Sequence, residues 1–359
     1  MLNIVISFDY ELFLGRNFYD DERVLFGPTK EILKILKKNN VTATFFADVC
    51  SVFQHEKYGL IDYCNQFSRQ LKDIELSGCD VQLHVHPNWL KSQPKNGQWI
   101  FDENSYRIHY FDSKDNEEWT MATIIKEGKE YLEKVLGDIE NYKCVAYRAG
   151  GFAIQPHQSL FPALAENGIK IDSSIVVKDY LKKDIIGYDF RKTPKKLNWM
   201  ISNKDLFQEE QKEIDKSLFE VPVMTIRNNI VERTFLPKYK RIFRRGEPLG
   251  KPISIGGAQP RFVEGKLKRL ALYNFSRRRL SFDEMNYEYL FRKIMKIYGL
   301  YGAKERDIYI AIIGHPKAFS GDAFENLEKF VKLASKEKDK IKLVNMRDIY
   351  DSICMAKVE

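Results

Sequence analysis

The sequence predicts an α/β protein whose parallel strands curl into a closed or partly closed barrel carrying one inserted basic segment. Three observations point there. Short apolar, β-branched runs alternate with helical patterns, and strands separated by helices pair in parallel with the crossovers covering the sheet. About eight such runs occur, which favours a barrel over an open sheet. Ionisable residues interrupt the same end of several runs, the end at which barrel enzymes place their chemistry.

The strand-like runs are Leu2–Phe8, Thr42–Ala47, Asp80–His84, Cys144–Arg148, Ile169–Asp172, Phe219–Val223, Asp307–Ile313 and Ile341–Val344. Each is short, rich in Val, Ile, Leu and Phe, and bounded by polar or turn-forming residues. The helical patterns fall between them. Pro28–Asn39 opens with proline at a first helical position and aligns Ile32, Leu33 and Leu36 on one face. Thr123–Leu136, Ser159–Asn167 before Gly168, Asp283–Tyr298 and Ala323–Lys336 repeat the pattern. With no internal repeat or low-complexity linker, residues 1–359 read as a single domain with an insertion at about 225–282.

Composition narrows the class. Hydrophobic residues make up 44% and charged residues 30% of the 359, which excludes a disordered or collagen-like chain. A chain this long buries enough surface to fold without disulfides or a structural metal. Its five cysteines (Cys50, Cys64, Cys79, Cys144, Cys354) are scattered and form no C-x-x-C, so they read as reduced thiols. The N-terminal MLNIVISFDYE lacks the basic region, long apolar core and cleavage site of a secretory signal. The longest apolar-rich stretch, Val41 to Phe53, is broken by Asp48 and is too short to span a bilayer. A cytoplasmic protein is expected.

The net charge of +8 is unevenly placed. Between Lys238 and Arg279 lie thirteen basic residues and only Glu247 and Glu264, so this segment carries +11 and the rest of the chain −3. It includes Arg241, Arg244, Arg245, Arg277, Arg278 and Arg279, interleaved with Tyr239, Phe243, Phe262, Tyr273 and Phe275. One reading is a solvated, aromatic-anchored loop and helix. The other is a patch for an anionic partner, either a phosphate- or lipid-linked substrate or an acidic membrane surface met peripherally. No recognition motif accompanies the charge, so nucleic acid is not expected.

The strand ends hold the chemistry. In SFDYE, Asp9 and Glu11 point to one side of an extended chain, and two close carboxylates stay ionised only beside a cation. In DVQLHVHPNW, His84 and His86 share a face if the strand continues, with Asn88 four residues after His84; imidazole is the commonest ligand of zinc-like ions. In YRAGGF, Arg148 supplies a fixed cation and the two glycines supply N–H groups able to approach a developing oxyanion. In IAIIGHPKAF, His315 is presented from a buried strand into a turn, a suitable place for a proton donor.

Taken in order, these segments resemble the polysaccharide deacetylase family (carbohydrate esterase family four, the NodB homology domain), and in the wording HVHPNW, RAGG and GHPK its intracellular, lipopolysaccharide-biosynthesis-type members. The similarity runs roughly from Leu2 to Tyr350, with the basic segment as an insertion. It implies a deformed (β/α)7-type barrel and a metal-dependent hydrolase. Such an enzyme removes an N- or O-acetyl group from an amino sugar or glycan intermediate of cell-envelope metabolism, with zinc the best match to mixed N and O ligands. It maps the catalytic base onto Asp9, a metal ligand onto Glu11, the residue holding the base onto Arg148, the oxyanion amide onto Gly151 and the general acid onto His315. IDSS around Asp172 resembles the fourth motif, with Asp172 supporting either His315 or Arg148. The family's second metal-binding histidine falls at Asn88. Asn88 then binds through its weaker amide oxygen, or His86 replaces it, or the site holds metal poorly and is inactive. The other function classes compatible with the residues are a small-amide metal hydrolase on the same barrel and a non-catalytic binder of anionic glycan or lipid-linked sugar.

Overall fold

A computed structural model describes residues 1–14, 20–112, 118–181, 187–211, 217–227, 277–283, 285–302, 307–319 and 321–356. In chain order the principal elements are β1 (Leu2–Tyr10), α1 (Gly27–Lys38), β2 (Thr44–Asp48), α2 (Val49–Lys57), α3 (Ile61–Leu76) and β3 (Asp80–Val85). Next come α4 (Met121–Leu136), β4 (Ala146–Ala149), α5 (Leu160–Glu166), β5 (Ile171–Asp172) and β6 (Leu218–Glu220). The chain continues through β7 (Thr225–Arg227), β8 (Arg277–Arg279), α6 (Tyr287–Ile297), β9 (Ile308–Gly314), α7 (Gly321–Ala334), β10 (Ile341–Val344) and α8 (Met346–Ala356).

The sheet explains the eight strand-like runs. β1 pairs in parallel with β2 on one side and β9 on the other, and β2, β3, β4, β5 and β6 follow in parallel order. The ring closes just past β6. Val223 bridges Ala311 of β9, whose N–H donates to the Pro222 carbonyl at 2.9 Å while the Met224 N–H donates to the Ala311 carbonyl at 3.3 Å. β1, β2, β3, β4, β5, β6 and β9 thus form a deformed barrel, drawn together at one seam by single bridges rather than a full ladder. The eighth run, β10, instead lies beside the first half of β1, Leu2 to Val5, outside the ring.

Residues 2–10 of β1 and 308–314 of β9 are buried along their whole length, as expected for parallel strands covered on both faces. Alternation still decides what each side chain meets. Tyr10 turns outward and donates its hydroxyl to Gln70 of α3 at 2.8 Å, whereas Ser7, Asp9 and Glu11 point into the mouth. All five helical patterns read from the sequence are present. Among the described residues, the α-helices α2, α3 and α8 have no counterpart in that reading. His55 lies on α2 with 3% exposure and stacks on Tyr63 at 3.9 Å. Of the cysteines, Cys50, Cys79 and Cys144 are buried thiols.

β7 and β8 form an antiparallel ribbon, Thr225 facing Arg279 and Arg227 facing Arg277. They hold together the two ends of the basic segment, and Arg277, Arg278 and Arg279 are each partly exposed. Arg241, Arg244 and Arg245 lie outside the described residues. No helix among the described residues is long and apolar enough to cross a membrane.

Candidate active site

At the C-terminal ends of the barrel strands, Asp9, Glu11, His84, His86, Arg148 and His315 converge. β1 supplies Asp9 and, one residue beyond its end, Glu11; β3 supplies His84 and then His86; β4 supplies Arg148; and His315 follows β9 directly. Register makes the meeting possible, because His84 of β3 sits opposite Arg148 of β4 and Asp48 of β2.

Asp9 is 4% exposed, and its Oδ1 accepts from Arg148 Nη1 at 2.7 Å. The guanidinium is fully buried, with its remaining donors aimed at the Ser7 hydroxyl (2.9 Å), the Ser173 carbonyl (3.0 Å) and the Ser173 hydroxyl (2.9 Å). It also lies 4.0 Å from the centroid of the Phe46 ring. Burial opposes ionisation of Asp9, but Arg148 and His315 outweigh it and hold the carboxyl well below the usual carboxylate range.

Glu11 sits between two kinds of partner. Its Oε2 faces His84 Nε2 at 3.2 Å and is in contact with His86 Nε2; its Oε1 accepts from Lys317 Nζ at 2.8 Å. Burial again opposes ionisation, and the Lys317 ammonium and the two histidines override it, so Glu11 stays ionised. His84 fixes the character of the cluster. Its Nδ1 lies 2.7 Å from the Arg148 carbonyl, and a carbonyl only accepts, so Nδ1 carries the hydrogen. In the neutral ring the Nε2 lone pair is then aimed at a carboxylate oxygen. Two electron-rich atoms so close need a cation between them, either a proton or a metal ion. An imidazole oriented by a backbone carbonyl is also the usual support of a metal-binding histidine.

Glu11, His84 and His86 offer ligand atoms all within 4.8 Å of one another, as do Asp9, Glu11 and His315. The first set has the one-carboxylate, two-imidazole composition of catalytic zinc sites. His86 lies within this cluster, and the Asn88 amide oxygen is buried without a hydrogen-bond partner among the described residues. Asp48, pushed up to about 6 by burial, accepts from the His86 N–H at 3.1 Å.

The glycines of RAGG are both required by close approach. A Cβ on Gly150 would stand 2.6 Å from His86 Nδ1 and 2.7 Å from the Val85 carbonyl oxygen. Gly151 has φ +56°, and a Cβ there would stand 2.2 Å from the Tyr106 hydroxyl oxygen. Tyr106 therefore faces the Gly151 backbone across the mouth, with its ring 6.0 Å from that of His86.

His315 is supported by Asp283. Nδ1 lies 2.6 Å from Asp283 Oδ2, while Asp283 Oδ1 accepts the His315 backbone N–H at 3.0 Å. Nε2 faces Asp9 Oδ2 at 3.5 Å and Glu11 Oε1 at 3.7 Å. Burial disfavours the imidazolium, but Asp283 and Asp9 more than compensate and raise it to about 10.

Asp172 does not touch His315. It accepts from the Ser174 hydroxyl (2.7 Å) and N–H (3.1 Å), and that hydroxyl accepts the Ala149 N–H at 2.9 Å. Burial raises Asp172, and burial with Asp172 nearby raises Glu220 well above the usual carboxylate range; Asp172 sits opposite Tyr147, the neighbour of Arg148. Sequence reasoning missed Asp283, Lys317 and Tyr106. Two signals were available. Ser281–Phe282–Asp283 repeats the Ser7–Phe8–Asp9 triplet, and both serines pair with Ile313. Lys317 lies two residues after His315 in the same short turn.

The fold and site define a parallel α/β barrel with carboxylates, imidazoles and a buried guanidinium at its mouth, among them a group of residues that could hold a metal ion. Comparison agrees with that class: residues 18–170 match the family model described as polysaccharide deacetylase. The matched span contains His84, His86, Arg148 and Gly151. No curated protein matches the chain. Among solved structures, one assigned as a polysaccharide deacetylase from Mycobacterium smegmatis is 17% identical, with 99% of this chain and 91% of that chain covered and a TM-score of 0.49. PuuE allantoinase is 12% identical, with 97% and 88% covered and a TM-score of 0.47. A protein assigned as a polysaccharide deacetylase from Pseudomonas aeruginosa PAO1 is 13% identical, with 97% and 89% covered and a TM-score of 0.46.

Proposed function

We propose that the protein is a metal-dependent hydrolase that removes an N-acetyl, or O-acetyl, group from an amino sugar or glycan intermediate of cell-envelope polysaccharide metabolism. The observation that carries this reading is the pairing of His84 Nε2 with Glu11 Oε2 at 3.2 Å while His84 Nδ1 is committed to a carbonyl, a donor set that fits a divalent cation. The match of residues 18–170 to the polysaccharide deacetylase model supports the substrate class.

Glu11, His84 and His86 would hold the ion, and nitrogen and oxygen donors together suit zinc. When bound, such an ion lowers the pKa of water from 15.7 toward ~7 and polarises the acyl oxygen. The chain's own groups do the rest. Asp9, kept ionised beside Arg148, accepts the proton of the attacking water. The Gly151 N–H serves the oxyanion that forms as the acyl carbon becomes tetrahedral; losing one such donor typically costs ~3 kcal/mol of transition-state stabilisation. An amide nitrogen leaves only when protonated, so His315, held as imidazolium by Asp283, donates that proton from Nε2. Asp172 acts as a positioning residue, through Ser174 on the backbone following Arg148 and through its charge on Arg148. Arg277, Arg278 and Arg279, at the foot of the basic segment, fit an anionic group on the substrate or its phosphate or lipid carrier.

The test is acetate release from N-acetylhexosamine substrates by the zinc-loaded protein. Asp9→Asn and His315→Ala are expected to lose most turnover while remaining folded, and Asp283→Ala to lose about 10²-fold. Full activity in the Asp9 or His315 variant refutes the assigned roles. Ring opening of a cyclic ureide with no acetate release would transfer the site to small-amide hydrolysis.

A further inference from the structure

Lys317 occupies an unusual place for a cation. Its Nζ lies 2.8 Å from Glu11 Oε1 and 2.9 Å from the Leu12 carbonyl oxygen, and 5.1 Å from the centroid of the Phe13 ring. The side chain keeps only 12% of its exposure. It is brought there by the turn Pro316–Ala318, which follows β9 and folds back over the end of β1. The two oxygens of Glu11 are thereby divided: Oε2 faces His84 and His86, and Oε1 faces Lys317, with His315 Nε2 farther off at 3.7 Å.

We propose that Lys317 is a positioning residue that reserves one oxygen of Glu11 and holds down the affinity of the Glu11–His84–His86 cluster for divalent cations. The proposal rests on the reading of those three residues as metal ligands. Its physical basis is charge. A carboxylate already paired to an ammonium offers an entering ion only part of its negative charge, and like charges a few ångströms apart repel strongly where water is scarce. The ammonium does not easily swing away, because a carbonyl and an aromatic face hold it as well as Glu11. Arg148 is differently placed, since its guanidinium is spent on Asp9, Ser7 and Ser173, so that among the described lysines and arginines Lys317 is the one in direct contact with the ligand carboxylate. The consequence is a site that exchanges its ion readily and keeps Glu11 to one-oxygen binding.

The test titrates metal-stripped full-length protein with zinc in competition with a chromophoric chelator, comparing the native chain with Lys317→Met, Lys317→Gln and Lys317→Arg. The neutral variants are expected to bind zinc at least tenfold more tightly, and Lys317→Arg to return the native affinity. Lys317→Gln carries the same expectation should Lys317→Met fail to fold. Tight binding by the neutral variants with no measurable binding by the native chain also supports the proposal. Unchanged or weaker binding in the neutral variants overturns it, and native binding in that case leaves the ligand assignment standing. Absence of zinc binding in every form overturns both.

Discussion

Replacing Arg148 by methionine tests the electrostatics of the mouth most directly, because the structure says which groups would be stranded. The guanidinium makes four hydrogen bonds, to Asp9, the Ser7 hydroxyl, and the carbonyl and hydroxyl of Ser173. The two hydroxyls keep other partners: Ser7 donates to the Ile312 carbonyl and Ser173 to the Val221 carbonyl, each at 2.8 Å. What loses compensation is the Asp9 carboxylate, only 4% exposed, and the Ser173 carbonyl. Breaking a buried ion pair from one side costs about 3–5 kcal/mol, and an orphaned carbonyl adds about 1–3 kcal/mol. Methionine recovers some contact with Phe46, so a net loss of roughly 4 kcal/mol is expected, a large share of a typical total of ~5–15 kcal/mol. The assay is urea unfolding at neutral pH of four proteins: native, Arg148→Met, Asp9→Asn and the double variant. Because a neutral Asn needs no counter-charge, the double variant should be more stable than Arg148→Met alone, giving a coupling energy above about 2 kcal/mol. Additive effects, or a loss below about 1 kcal/mol for Arg148→Met, would refute an ionised Asp9 held by this guanidinium.

Two further outcomes follow from other parts of the chain. Gly151→Ala forces a side chain into a left-handed conformation against the Tyr106 hydroxyl; a loss of at least about 1–2 kcal/mol is expected in thermal unfolding, and an unchanged midpoint would deny the close approach. At the opposite end of the barrel, burial raises Glu75 to about 7 against the pull of Arg347, 2.5 Å away. A carboxyl raised in the folded state contributes stability fully below its unfolded value of 4.5 and loses it as pH climbs through about 7. Stability should therefore decline from pH 4.5 to 7 through this group, and Glu75→Gln should flatten that part of the profile; an unchanged slope refutes the assignment.

Asp9, Glu11, His84, His86, Arg148 and His315 were legible because each is an ionisable break at the end of an apolar run, and parallel strands must bring such ends together. Asp283 was not, because LSFDE reads as the start of a helix; only the pairing of Ser281 with Ile313 carries it to His315. Asp172 was expected to support His315 or Arg148; its hydrogen bonds go to Ser174, and of the two it is Arg148 whose charge acts on it, a difference of side-chain direction that spacing alone does not reveal.

By itself the sequence determined the alternation of strands and helices, the parallel barrel and the set of groups at one mouth, because periodicity and burial are written locally along the chain. Tertiary structure alone decided the partners: the seam at Val223 and Ala311, the placing of β10 outside the ring, Lys317 on Glu11, Tyr106 over Gly151 and His86 beside Glu11 and His84. Those depend on distances of a few ångströms between residues up to 306 positions apart, which no local pattern encodes.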